Sequence, residues 1–344
     1  MGRGPRGSRP AAIAVGRSGL HTYLVVGALL AVGAATTLHL LDLPPFHGPA
    51  PPPTLVVVAN LQSNDVTVTD TGTGAVESRG PVPVNPHELQ PIDGGTLATS
   101  DYHSSAVTEL ALPGLRAVGS VAVPGSPHGL AYSRKYGVLL VTEEATGRLA
   151  MIFTAGGTLA AEVQVGGEPH MLAVSPDGET AYVADAAGSR LIEVDVGSAS
   201  VRRTTPVGAV PESVAVSPDG SWVATADAEG GTVTLVDAAT MRAVARVAVG
   251  GWPVRVRFTP GGRRLLVSLQ RAGMVVAIDV TSRRVVGAAK VGDGPDGIDC
   301  RPAGDWCFVA LNGDDAVRAF RPSDLRLGPR YPAGRGPSGL VVLP

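Results

Sequence analysis

The stretch PHMLAVSPDGETAYVAD (169–185) returns 42 residues later as PESVAVSPDGSWVATAD (211–227). Each reads as a short apolar strand, a Pro-Asp-Gly turn and a second strand ending on an acid. Proline presets φ in the turn, Asp bonds the backbone two residues on and Gly accepts a positive φ, which together make a hairpin. Working outward, the leading proline recurs as Pro86, Pro127, Pro169, Pro211, Pro253, Pro295 and Pro337, spaced by 41 residues once and 42 thereafter. Val123, Val165, Val207, Val249 and Val291 keep the 42-residue interval just upstream of it. The turn persists as TPGG (259–262) and RPAG (301–304), and Asp195, Asp237 and Asp279 close a third strand in phase. From Pro169 the unit runs AVS, TAYVAD, RLIEVD, VRRTTPV, four short strands in all. A helical repeat is excluded, because Gly and Pro break every run within ten residues and β-branched residues dominate.

A single four-stranded sheet cannot bury both faces, and radial stacking of copies solves this. Six complete units lie between Pro86 and Pro337; three strands (TLVVVAN, VTVTD, AVESRGPV) precede them and one, GLVVLP, follows. The last strand is expected to complete the first sheet from inside, closing the ring without free edges. The predicted fold is all-β: a seven-bladed β-propeller of four-stranded antiparallel blades over residues 54–344.

Composition agrees. Hydrophobic residues make up 44% and aromatics only 4%, so the core must be built from Val, Ala and Leu, while 45 Gly and 29 Pro supply the turns. Residues 1–43 hold four Arg and one Asp, leaving 24 basic and 29 acidic residues for the rest. A mildly acidic domain is ill suited to nucleic-acid phosphates, and no nucleic-acid partner is expected. Residues 1–22 form a basic tail carrying Arg3, Arg6, Arg9 and Arg17. Residues 23–43, apolar from Tyr23 to Leu41, approach the roughly 20 residues that span a bilayer as a helix. This N-terminal hydrophobic helix is a signal anchor or a signal peptide, since Gly33, Ala34 and Ala35 permit cleavage. The positive flank places the remainder outside, either anchored to the cytoplasmic membrane by one helix or secreted if cleaved. Residues 44–53 (PPFHGPAPPP) are a stiff Pro-rich linker.

In a four-stranded meander, loops between blades share a face with loops between second and third strands. The residue after each repeat proline reads His87, His128, His170, Glu212, Val254, Asp296 and Ser338. Loops after the second strand add Asp101, His103, Glu143, Glu144, Asp185, Asp227, Arg271 and Asn312. Four of the seven histidines thus fall on one rim. The candidate ligand-binding set is His87, His103, His128, Glu143, His170, Asp185, Glu212, Asp227, Arg255 and Asp296. One reading makes His87, His128 and His170 candidate ligands of a divalent metal, because imidazoles suit Zn, Cu or Fe and carboxylates can complete the shell. In the other, each ring bonds a backbone carbonyl in a blade-linking loop. No C-x-x-C-H, Walker loop or G-x-S-x-G elbow is present, so covalent haem, nucleotide and elbow-type serine chemistry have no support. Cys300 and Cys307 align with Val174 and Ala181, opposed across a hairpin, and a disulfide is expected in an oxidising compartment.

These units resemble the YVTN-type β-propeller repeat, P-x-g-[VIL]-a-[VF]-s-P-D-G followed by Y-V-x-N-like and V-x-[VI]-[ID] strands. The usual Asn of the second strand is mostly an acid here: Glu143, Asp185 or Asp227. That family includes extracytoplasmic and surface proteins, and the wider superfamily includes lactonase-type enzymes and large subunits of quinoprotein amine dehydrogenases. GGEPHMLAVSPDGETAYVAD resembles the PHH-containing blade of lactonase-type propellers and would nominate His170, but Met171 replaces the second His. The leading expectation is a non-catalytic binding or scaffold module of the cell envelope, taking a protein segment, glycan or small molecule at its rim. The alternative is an extracytoplasmic lactonase-like enzyme or a redox or metal accessory protein using the same rim.

Overall fold

A computed structural model describes Met1 and residues 50–343. The basic tail, the apolar segment 23–43 with its N-terminal helix, and linker residues 44–49 lie outside the described residues. Among those described, no helix is long and apolar enough to cross a membrane. They form seven four-stranded antiparallel sheets, the predicted number.

One blade shows how the residues dictate the sheet. The strands Pro169–Val174, Thr180–Asp185, Arg190–Asp195 and Ser200–Pro206 pair in sequence order. Thr180–Asp185 is buried along its whole length, whereas Ser200–Pro206 is exposed at every position but Thr205. The second strand is therefore sandwiched between blades and shows no polar alternation, as expected of strands covered on both faces. Small and branched side chains fill the wedge between neighbours: Leu140, Met151 and Val138 of one blade meet Leu172, Val183 and Ile192 of the next. The first strands of all seven blades touch in a closed ring around the axis.

The closing blade is composite. Strand Pro337–Leu343 lies inside Leu55–Asn60, with Val56 opposite Val342 and Val58 opposite Leu340. The end of the linker joins this blade: Pro51 is buried, and the Pro52 carbonyl accepts the Thr71 hydroxyl at 3.1 Å. Cys300 and Cys307 face each other across their hairpin, as Val174 and Ala181 do, and are joined by a disulfide with Cα atoms 3.9 Å apart.

Candidate functional site

Each inner strand loses register just after its proline. Pro127 pairs with Glu143 and pairing resumes at Leu130–Val141; Pro169 pairs with Asp185 and pairing resumes at Leu172–Val183. Such a bulge re-aims the side chains it contains, here into the mouth of the central channel. His87, His128 and His170 consequently form a stack, with ring centroids 4.2 Å and 3.8 Å apart. Their close approach needs Gly129, where a Cβ would sit 2.8 Å from the His170 carbonyl oxygen. Ser100 and Thr142 hydroxyls pin the carbonyls of His128 and His170 at 2.6 Å and 2.5 Å. Tyr102 stands edge-on to His128 at 5.8 Å and donates its hydroxyl to Glu144 Oε1 at 3.0 Å.

The three imidazoles are not equivalent. His128 is 3% exposed, and neither its Nδ1 nor that of His87 has a hydrogen-bond partner among the described residues. Burial, then the Arg255 charge, lowers His87 to about 3; burial, then His170 and His87, holds His128 well below its ordinary value. Both rings are neutral at pH 7. His170 Nδ1 lies 2.8 Å from the Glu212 carbonyl oxygen, and its Nε2 lies 3.2 Å from Glu212 Oε2. A carbonyl can only accept, so Nδ1 carries a proton, and Nε2 is the nitrogen that faces the carboxylate. The carbonyl-bonding reading thus describes His170 and does not describe the Nδ1 atoms of His87 and His128.

The Arg255 guanidinium reaches across the channel. Its Nε donates to Asp296 Oδ1 at 2.9 Å and a terminal nitrogen pairs with Glu88, while Ser338 donates to Asp296 Oδ2 at 3.0 Å. Burial raises Glu88 to about 7, Arg255 pulling it down and Asp296 pushing it up. From this ladder a cavity of about 750 Å³ runs along the axis to Pro218, Pro260 and Pro302 in the hairpin turns of the opposite face.

Other candidates are placed elsewhere. Asp185 accepts the Glu168 and Gly188 amides at 2.9 and 3.0 Å and pairs with Arg190 at 2.7 Å. Asp227 takes the hydroxyls of Thr225, Thr232 and Thr234 at 2.6, 2.9 and 2.6 Å, and Glu143 takes that of Thr146 at 2.7 Å. All three are fully buried. Asn60 occupies the same repeat position and accepts the Gly334 amide at 3.0 Å. The position clamps the end of the second strand to the adjacent strand and to neighbouring loops, because an acceptor there meets amides and hydroxyls that need a partner. His103 is exposed and touches Tyr102 edge-on at 5.1 Å, outside the imidazole stack.

Glu88, Tyr102 and Glu144 complete the mouth without having been in the candidate set. The second residue after each proline reads Glu88, Gly129, Met171, Ser213, Arg255, Gly297 and Gly339. Two opposite charges at one otherwise small or neutral repeat position were a readable sign of a cross-channel pair. Tyr102 and Glu144 also share a repeat position, one past the second strand, on adjacent blades.

Residues 149–326, just over half of the chain, match the family described as YNCE-like beta-propeller. No curated protein matches at a significant level. Among solved structures, the periplasmic gluconolactonase of Pseudomonas aeruginosa is similar at 20% identity and TM-score 0.71, over 85% of this chain and 99% of that one. A hydrazine synthase chain of Kuenenia stuttgartiensis is similar at 20% identity and TM-score 0.67, over 75% and 95%. A putative 6-phosphogluconolactonase of Bacteroides fragilis is similar at 16% identity and TM-score 0.72, over 85% and 98%. At such identities the likeness is one of fold, and it does not transfer an activity. With the repeat, the closed ring of seven blades and the match to more than half its length, this chain belongs to the YncE-like β-propeller family.

Proposed function

We propose that this protein is a non-catalytic binding propeller working outside the cytoplasm, with its ligand received at the imidazole-lined mouth. The observation that carries the reading is the commitment of the buried Arg255 guanidinium to Glu88 and Asp296, beside imidazoles and carboxylates already gathered in place. Lactone hydrolysis requires donors aimed at a developing oxyanion; a guanidinium held by two carboxylates is a poor one. Preformed groups at a concave mouth suit binding instead. The partner class is a protein segment, a glycan or a small ligand. The test is to supply the full chain with glucono-1,5-lactone and its 6-phosphate. No hydrolysis above the spontaneous rate is expected, and turnover abolished by His170→Ala would overturn the reading.

Two features support the extracytoplasmic placement: the arginine-flanked apolar segment at the N-terminus and the Cys300–Cys307 disulfide. Disulfides persist where the compartment is oxidising and are rare where thiols are kept reduced. Cells lysed directly into denaturant and a maleimide reagent should therefore yield a chain labelled at Cys300 and Cys307 only after reduction. Immediate labelling of both would place the protein in a reducing compartment.

A further inference from the structure

We propose that His128, His170 and Glu144 form a site for one divalent transition-metal ion of the zinc type, with Glu212 as an additional carboxylate. The inference rests on the binding reading above and names its ligand.

One nitrogen from each imidazole and one Glu144 oxygen lie within 4.8 Å of one another. Metal bonds of about 2.0–2.2 Å put any two donors within about 4 Å, so side-chain adjustments of about 1 Å assemble the shell. The backbone already sets the ligands: the two histidines sit in bulges of adjacent inner strands, and Glu144 follows the second strand of the His128 blade. Tyr102 holds one Glu144 oxygen in place at 3.0 Å. A histidine that donates from one nitrogen to a backbone carbonyl and turns the other toward a metal is a recurrent arrangement, because the first bond fixes tautomer and ring plane. His170 meets the first condition through the Glu212 carbonyl at 2.8 Å.

Two observations point to a cation rather than to structural imidazoles. His170 Nε2, the nitrogen not engaged by the carbonyl, faces Glu212 Oε2 at 3.2 Å. A ring nitrogen and a carboxylate oxygen that face each other at that distance can ligate one cation. In addition, Glu144 and Glu212 gather beside the imidazoles, with Glu168 next to Glu144. Among the described residues none of these three carboxylates has an Arg or Lys within ion-pair distance, while nearby Arg255 is occupied by Glu88 and Asp296. Buried His128, with an unpartnered Nδ1, supplies the second nitrogen donor. Two imidazoles and a carboxylate select zinc-type ions over Mg²⁺ or Ca²⁺, which prefer all-oxygen shells.

The full chain, stripped with EDTA, should bind one equivalent of Zn²⁺ by calorimetry, and Co²⁺ in its place should develop visible absorption bands of a low-coordinate nitrogen–oxygen site. His128→Ala and His170→Ala should each weaken binding at least 100-fold, and Glu144→Gln at least 10-fold. If the alanine variants fail to fold, Glu144→Gln and the wild-type Co²⁺ spectrum decide. Absence of stoichiometric Zn²⁺ and Co²⁺ binding, or binding that survives all three substitutions, overturns the site. Lactone turnover by stripped protein would remove the non-catalytic reading while leaving the metal result to stand by itself.

Discussion

Arg255→Met is expected to destabilise the propeller by about 3–5 kcal/mol, the usual cost of removing one partner from a buried charge network. Arg255 is 8% exposed and Asp296 9%, and both Glu88 and Asp296 face the guanidinium. Without it, two carboxyl groups share a low-dielectric space with only the Ser338 hydroxyl to satisfy one of them. The loss must depend on pH. Glu88 moves from an ordinary 4.5 up to about 7 in the folded chain even with Arg255 present. A group whose folded pKa is raised stabilises the fold below its unfolded value, and this stability is lost as pH rises through the folded value. In the wild type the loss runs from about 4.5 to about 7 and then levels off. In the variant the folded pKa of Glu88 climbs further, so stability keeps falling above pH 7. His87 reinforces the trend: its pKa is depressed to about 3 by burial and then by Arg255, so removing Arg255 favours the variant in acid. Chemical denaturation at pH 6 and pH 8.5 checks this, with the gap between wild type and variant wider at the higher pH. An equal gap at both would show that Glu88 does not take up a proton when Arg255 is lost. Adding Glu88→Gln to Arg255→Met should narrow the gap at pH 8.5.

Ending the chain at Gly336 should abolish the folded monomer. The segment removed is the innermost strand of the composite blade, and its partner Leu55–Asn60 would be left as an open edge. Leu340 and Val342 pack with Val56, Val58 and Phe308, and each buried aliphatic side chain is worth about 1.5–3 kcal/mol. With the ladder to Leu55–Asn60 also gone, the loss reaches the scale of a domain's entire stability, about 5–15 kcal/mol. The exposed edge, LVVVAN, is apolar and β-branched, a sequence prone to edge-to-edge aggregation. Circular dichroism and size exclusion should report unfolded or aggregated protein, and the peptide PSGLVVLP supplied during refolding should restore part of the monomer. A truncated chain that melts cooperatively with an unchanged midpoint would show that the closing strand is dispensable.

The blades and their number were legible because each marker does one local job. Proline opens the inner strand, the SPDG-type turn closes the first hairpin, and β-branched residues fill strands covered on both faces. The cysteine pair was legible for the same reason, since a hairpin register follows from its turn. Glu143, Asp185 and Asp227 are ambiguous in the sequence, because polarity at a strand end reads equally as a rim ligand or as a clamp. Their surroundings favour the clamp: the hydroxyls around Asp227 come from its own strand and the next one, and the amides around Asp185 come from flanking loops. Glu88 and Arg255 are 167 residues apart, and their pairing depends on ring closure bringing opposite sides of the channel together.

From residues alone, then, this protein's repeat length, blade count, closing strand and disulfide follow, since each is a matter of short-range turn chemistry and of hydrophobic faces that need a partner. The meeting of His128, His170 and Glu144 and the bridging of the channel by Arg255 belong to the tertiary structure. Both depend on how far bulged strands lean inward and how closely adjacent backbones approach, as at Gly129. Such geometry is set by the packing of seven sheets against one another, and a side chain's identity does not by itself encode the direction in which a bulge will turn it.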